Sequence, residues 1–349
     1  MHIAVDAMGG DFAPRAAVEG ACRAAAEGLS ILLVGDERAL AAELSRFGAA
    51  PPTLAIVHAE EVVKMDDPAA SAVRRKRRSS MNICAELVRD GRARAMVTAG
   101  NTGAAMITAK LVLGAIPGVD RPALAAVVPN RRGKTVLLDV GANVGSKVEH
   151  LRQFAVMGHF YAQELLGVRQ PRIGLLSIGE EDAKGTELTR ETLKTLKATG
   201  LHLLGNVEGR DVFNGAADVV VCDGFVGNVL LKGAESLAEL IVGMMREEIA
   251  ASWRTRLGGW LALPAFRAFR RRTDYAEYGA VPLLGVEGGC FIGHGRSNAK
   301  AIHNAVRRAA EFCRAELHVK IRAKVAELHA EEARTRALAG GAAGVTAAG

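Results

Sequence analysis

The chain has 349 residues, of which 49% are hydrophobic, 24% charged and only 4% aromatic, so it reads as a soluble enzyme with a core of Ala, Val, Leu and Ile. No uninterrupted apolar run is long enough to span a bilayer, and Asp6 interrupts the first apolar run as a signal peptide would not allow. The net charge of +7 suits an acidic partner (nucleic acid, anionic lipid, phosphate or an acidic protein) without choosing among them. Cys22, Cys84, Cys222, Cys290 and Cys313 form no CxxC pair and no metal spacing, which predicts reduced thiols in a cytoplasmic protein.

Residues 2–28 read as strand, loop and helix, with Pro14 in the first turn and Gly28 just past the end. Residues 30–48 repeat the unit, and Leu54–Val57 is a third strand, so β and α alternate as in a parallel sheet covered by helices. Arg74, Arg75, Lys76, Arg77 and Arg78 then precede a helix running to about Asp90. Two readings stand for this run: a solvated face, or an anion site whose helix is capped by Ser79 or Ser80. Ala95–Ala105 is a buried strand, a turn of small residues and a helix to about Leu113. That turn is either a plain strand-to-helix connection or an anion cradle at the positive end of a helix dipole.

Further strands are expected at 123–128, 135–138, 173–176, 201–207 and from Asp218, with a long helix ending at Leu166. After Asn228 a helix to about Ala250 is apolar nearly all round, which predicts that it is buried or lies at a subunit interface. Residues 250–278 change character: Trp253, Trp260, Leu261, Phe266 and Phe269 alternate with a ladder of arginines. Large apolar and cationic residues together favour a helical hairpin resting in a membrane interface over one packed on its own core. Gly279–Gly295 is glycine-rich chain, helix then runs from Asn298 to about Ala330, and 331–349 is a flexible Ala/Gly-rich tail. The expected organisation is one catalytic domain over 1–330, in one piece or two lobes around a cleft.

The strand-to-loop pattern recurs at Asp6–Asp11, Asp139–Asn143, Ile178–Gly185 and Asp223–Asn228. In an open parallel sheet these polar loops would share the edge at the strands' carboxyl ends, where α/β proteins bind ligands. There is no GxGxxG, no Walker A, no HExxH and no GxSxG. Of nine scattered histidines, His294 is set apart by flanking glycines in a polar loop and is the one expected to touch substrate. What remains is a site that binds anions through backbone and side-chain donors, with no metal and no cofactor.

Asp6-Ala7-Met8-Gly9-Gly10-Asp11, Ala99-Gly100-Asn101-Thr102-Gly103-Ala104, Leu138-Asp139-Val140-Gly141-Ala142-Asn143, Gly179-Glu180-Glu181 with Lys184-Gly185, Glu208-Gly209-Arg210-Asp211, Asp223-Gly224-Phe225 with Gly227-Asn228, and His294-Gly295 with Ser297 occur in this order. The ordered set, over about residues 1–325, resembles the bacterial acyl-acyl-carrier-protein:phosphate acyltransferase family of phospholipid synthesis. Thr98, Gly145, Val148, Ser177 and Val226 depart from that family's usual residues, where Ser, Asp, Pro, Asn and Thr are expected.

The resemblance implies an α/β fold with a parallel-rich sheet and helices on both faces, like the phosphotransacetylases and the isocitrate/isopropylmalate dehydrogenases. It implies that phosphate attacks the thioester of a long-chain acyl-acyl carrier protein, and that a membrane acyltransferase passes the acyl phosphate's chain to glycerol 3-phosphate. It also implies a homodimer held peripherally on the inner face of the cell membrane. On this reading Lys184 fixes phosphate or the developing charge, and Asn228 donates to the oxyanion. Gly9, Gly10, Asn101, Thr102 and Gly103 surround the phosphate, while Asp6, Asp139 and Asp223 orient loops. The run Arg74–Arg78 attracts the acidic carrier protein. The competing readings are a phosphotransacylase using acyl-CoA, a decarboxylating dehydrogenase, and a basic nucleic-acid-binding protein; the last is disfavoured because no binding helix or aromatic platform is evident.

Overall fold

The computed structural model describes residues 1–48, 50–273 and 275–345. The first half runs β1 (His2–Asp6), α1 (Arg15–Ala26), β2 (Ser30–Gly35), α2 (Glu37–Ser45), β3 (Leu54–His58), α3 (Ala69–Arg75), α4 (Ser80–Arg89), β4 (Ala95–Thr98) and α5 (Thr102–Thr108), continued by a π turn to Leu113. The middle holds β5 (Ala123–Asn130), β6 (Gly133–Leu138), α6 (Val148–Leu166), β7 (Ile173–Leu176), α7 (Glu187–Leu196), β8 (Leu203–Val207), α8 (Gly209–Asn214) and β9 (Val219–Val221). The last part holds α9 (Gly224–Ala250), α10 (Trp253–Leu261), α11 (Leu263–Thr273), β10 (Ala280–Leu284), β11 (Gly289–Gly293), α12 (Ala299–Arg314) and α13 (Leu317–Val345).

All the strands join one 11-stranded sheet in the order β3-β2-β1-β4-β11-β10-β5-β6-β9-β7-β8. Alternation along each strand builds a core on either face. Ile3, Val5, Ile31 and Leu33 point to the side covered by α1, α6, α12 and α13. Ala4, Leu32 and Val34 point to the side covered by α4 and α5. The expected α/β architecture, parallel-rich with helices on both faces, is what the chain adopts.

The sheet is not parallel throughout, and this overturns the expectation that every polar loop shares one edge. β1, β2, β3, β4 and β11 pair parallel, as do β6, β7, β8 and β9. Between the two blocks β11–β10, β10–β5 and β5–β6 are all antiparallel. Three reversals leave the blocks pointing in opposite directions. The loops after β1, β4 and β11 therefore leave one end of the sheet, and those after β6, β7 and β9 leave the other.

Gly279–Gly295, read from the sequence only as glycine-rich chain, supplies β10 and β11 at the centre of the sheet. Its composition (Pro282 in one strand, two glycines in the other) hides the strand signal. The glycine is needed there: a Cβ on Gly289 would stand 2.5 Å from the Cβ of Ala95 in β4. At the C-terminus, α13 continues to Val345 through most of the segment expected as a flexible tail, and residues 346–349 lie outside the described residues. Helical pattern from Asn298 is broken at Glu316, whose φ of 51° separates α12 from α13.

β5 and β10 are joined only through Leu283↔Leu124 and Leu284↔Ala123. Beyond these pairs the strands diverge, and a groove of about 860 Å³ opens there, with Val127, Ala280, Tyr278 and α9 among its walls. This seam between the two blocks positions the site.

Candidate active site

At the first end of the sheet, Asp6 is the post on which two loops hang. Its carboxylate accepts from Ser80 Oγ and Thr98 Oγ1, both at 2.6 Å, and from the Met8 N–H at 3.2 Å. Thr98 Oγ1 in turn accepts from the Gly100 N–H at 3.0 Å. The residue that departs from the family's Ser thus keeps the hydroxyl the post requires. Burial raises the Asp6 carboxyl above the ordinary value, outweighing the hydroxyl donors. Gly9 sits so close that a Cβ there would lie 2.7 Å from Asp6 Oδ2 and 2.8 Å from the Gly100 nitrogen. Gly10 has φ +100°, open to glycine at little cost, and the Asp11 N–H reaches the Gly295 carbonyl at 2.8 Å. The loops after β1, β4 and β11 therefore touch one another.

Asn101 caps α5 through Oδ1, which accepts from the Ala104 N–H, while Nδ2 donates to the Met65 and Asp67 carbonyls. Its side chain is engaged in structure. Thr102 is exposed and Gly103 half-buried at the start of that helix.

At the opposite end, Asp139 is the corresponding post. It is buried, and its oxygens accept from the N–H groups of Leu124, Gly141, Ala142 and Asn143 and from Asn143 Nδ2, at 2.8–3.2 Å. Asp223 caps α9 at Phe225 and receives the Ser146 N–H at 2.7 Å. Burial pushes the Asp223 carboxyl up, but these hydrogen bonds together hold it below the ordinary carboxylate value. The cap is thus Asp223, and α9 starts at Gly224 rather than after Asn228. Asn228 lies inside the helix, exposed, with Oδ1 3.5 Å from where a Cβ on Gly141 would be.

Lys184 stands on the loop after β7, on the strand beside β9, so its loop and that of Asn228 leave neighbouring strands at one end. The loop is fastened around it. Asn206 Nδ2 donates to the Glu181 carbonyl at 2.8 Å, Arg210 pairs with Glu180 at 2.9 Å, and Lys197 pairs with Asp182 at 2.6 Å. Lys184 gives its own N–H to Glu181 O, and its side chain is exposed with no ion pair among the described residues. In the sequence Arg210 stands only within a motif and Asn206 within an expected strand; that the two fasten this loop appears only in the fold.

α9 leaves the second end and runs back across the β5–β10 seam, so one groove gathers Thr102, Asn228 and His294. Gly9, Gly10, Asn101, Gly103 and Lys184 are not among its walls. His294 is exposed, and partial burial followed by the nearby Lys232 depresses its imidazole below the ordinary value. Lys232 and Glu235, which reach His294 from α9, are site neighbours that the sequence did not single out.

Of the basic run, Arg74, Arg75, Arg77 and Arg78 are exposed. Lys76 is turned inward, bound to Asp67 at 2.5 Å and to the Val62 carbonyl at 2.8 Å. It is removed from any docking face because a half-buried ammonium needs these partners. Of the two placements expected for α9, burial within its own chain is excluded: only Gly224 and Gly227 are buried, and Leu237, Leu240 and Met244 are each more than half exposed. Trp253, Trp260, Leu261 and Phe269 on the hairpin are exposed and Phe266 is half-buried. No helix among the described residues is long and apolar enough to cross a membrane.

The α/β fold built on this two-block sheet is phosphotransacetylase-like. A phosphotransacetylase structure from Streptococcus pyogenes superposes with a TM-score of 0.62 at 18% identity, covering 91% of this chain and 94% of that one, a likeness of fold alone. The chain belongs to the fatty acid synthesis protein family, which matches residues 1–320. It is 52% identical over 334 residues to a phosphate acyltransferase of Pelotomaculum thermopropionicum, covering 95% of this chain and 97% of the relative. It is 53% identical over 326 residues to one of Geobacter sulfurreducens, covering 93% and 94%. The chain is an acyltransferase.

Proposed function

We propose that this acyltransferase moves a fatty acyl group from acyl-acyl carrier protein to inorganic phosphate, giving acyl phosphate for phospholipid synthesis. The observation that carries the reading is the groove that gathers the exposed Thr102, Asn228 and His294, beside loops whose buried carboxylates are turned inward. Such a site favours an anion and an oxyanion. A phosphate oxygen attacks the thioester carbonyl carbon, the carbonyl oxygen becomes an oxyanion, and the C–S bond then breaks. The sulfur leaves as thiolate and takes a proton from water, leaving free carrier protein and acyl phosphate.

In this scheme Asn228 donates its side-chain amide to the oxyanion, and Lys184 neutralises phosphate as its loop meets substrate. His294 lines the entrance. Thr102 supplies a donor to the phosphate from the groove wall, and Gly9, Gly10 and Gly103 let the neighbouring loops approach closely. Phosphate is already a nucleophile, so no enzyme-bound acyl intermediate is required.

The exposed cations Arg74, Arg75, Arg77 and Arg78 suit an acidic carrier protein, and the arginine-rich hairpin suits peripheral attachment to the inner face of the membrane. That would place the product near a membrane glycerol-3-phosphate acyltransferase. The outward Leu237–Met244 stripe of α9 suits a second copy of the chain in a homodimer.

The test is hydroxylamine trapping of product from phosphate with palmitoyl-carrier protein or palmitoyl-CoA. Phosphate-dependent hydroxamate from the carrier substrate alone supports this reading. Product from CoA alone assigns an acyl-CoA donor instead, and none from either refutes acyl transfer to phosphate.

A further inference from the structure

The central groove does not end at His294. A second cavity, of about 1030 Å³, lies between α9 and the α10–α11 hairpin. Glu235, Ala238, Phe269 and His294 line both cavities, so the two adjoin. The floor of the second is apolar: Val242, Met245 and Ile249 from α9 face Trp260, Leu263 and Phe266 from the hairpin. On α9 these residues continue Leu231 and Ala238 at helical i+3/i+4 spacing, so a single face of one helix runs from the reacting groove to the hairpin. The turn into the hairpin is fixed by Thr255 Oγ1 donating to the Ile249 carbonyl at 3.0 Å and Arg256 Nε donating to the Ala250 carbonyl at 3.1 Å.

We propose that this trough is the acyl-chain site: the chain leaves the thioester carbonyl at the groove, passes Ala238 and lies between α9 and the hairpin. The inference rests on the acyl-transfer reading above. Length agrees. The Leu231–Ile249 face measures about 27 Å at ~1.5 Å per residue. A long chain needs roughly 15 Å, half of a ~30 Å bilayer core. The border agrees too. Arg256 and Arg267 edge the apolar floor. An apolar protein surface laid over it would strip water from both guanidiniums, whereas a single acyl chain covers the floor and leaves them hydrated. The chain end then rests beside the exposed Trp260 and Leu261, on the surface offered to a membrane.

The test fills the trough just past the junction. Val242→Trp is made in the full chain, at a half-buried helix position that lines the second cavity and not the reacting groove. Turnover is measured with palmitoyl- and hexanoyl-carrier substrates. The short chain ends before the plug, so its kcat/KM stays within about twofold, whereas palmitoyl kcat/KM falls at least about tenfold. Loss of both in parallel, or of neither, overturns the proposal. A palmitoyl substrate with a terminal photoreactive group supplies a second reading in the unmodified protein: labelled peptides from 242–266 support the trough, and labels confined to β5 and α6 place the chain through the seam and overturn it. Absence of any acyl phosphate from the unmodified protein is a different result, which removes the underlying reaction.

Discussion

The two ends of the sheet solve the same problem with different materials. At the first end Asp6 is held by the hydroxyls of Ser80 and Thr98, and Asn101 spends its whole side chain on Ala104, Met65 and Asp67. At the second end Asp139 is held chiefly by backbone N–H groups. There Asn228 and Lys184 are exposed, and neither side chain takes a hydrogen bond among the described residues. The contrast teaches where chemistry can sit: the first end spends its polar side chains on its own loops, and the second keeps exposed side chains that can meet a reacting group.

Two asparagines give the sharpest way to break the comparison. Asn228→Ala should lower kcat by about a hundredfold or more with little change in stability. Asn101→Ala should keep most turnover and lose about 1 kcal/mol of stability with its cap. Reversal of these outcomes in steady-state assays and denaturant melts would erase the distinction. Asp139→Ala comes next. It strands several buried N–H groups, so the unfolding free energy should fall by roughly 3 kcal/mol or more; a denaturant midpoint near the parent's would show that the post is dispensable.

The hairpin offers a third contrast, with both ends together. Replacing Trp260 and Phe266 by Asp should abolish sedimentation with anionic liposomes while turnover of soluble short-chain substrate persists. Unchanged sedimentation would refute the anchor. The smallest effect is at His294. Its native pKa lies below the ordinary ~6.5, so between the two values the unfolded chain binds more protons. Its contribution to stability is therefore present at neutral pH and is lost as pH falls through that window. Ring-proton NMR should show the depressed titration, and Lys232→Gln should raise it; a ring titrating at the ordinary value would contradict the electrostatics.

Much of the fold was legible because apolar β runs meeting Gly, Asp and Asn mark strand-to-loop junctions whatever their direction. Direction was legible only in part. The short link between the strands expected at 123–128 and 135–138 leaves no room for a parallel crossover and so points to the antiparallel β5–β6 pair, whereas β10 and β11 are disguised by Pro282 and close-packed glycines. That is why loops assigned to one edge divide between two. The posts Asp6, Asp139 and Asp223 were legible as loop-orienting residues, since a carboxylate is a poor neighbour for an anion. Their partners Ser80 and Ser146 were not assigned to them, because pairings across 74 and 77 residues depend on the finished fold.

The most direct test of the account is a phosphate titration of Lys184→Ala, with acyl phosphate trapped as hydroxamate. The account predicts that kcat/KM for phosphate drops about a hundredfold or more while the melting temperature and the KM for palmitoyl-carrier protein hold. Near-parental turnover at every phosphate concentration would contradict it.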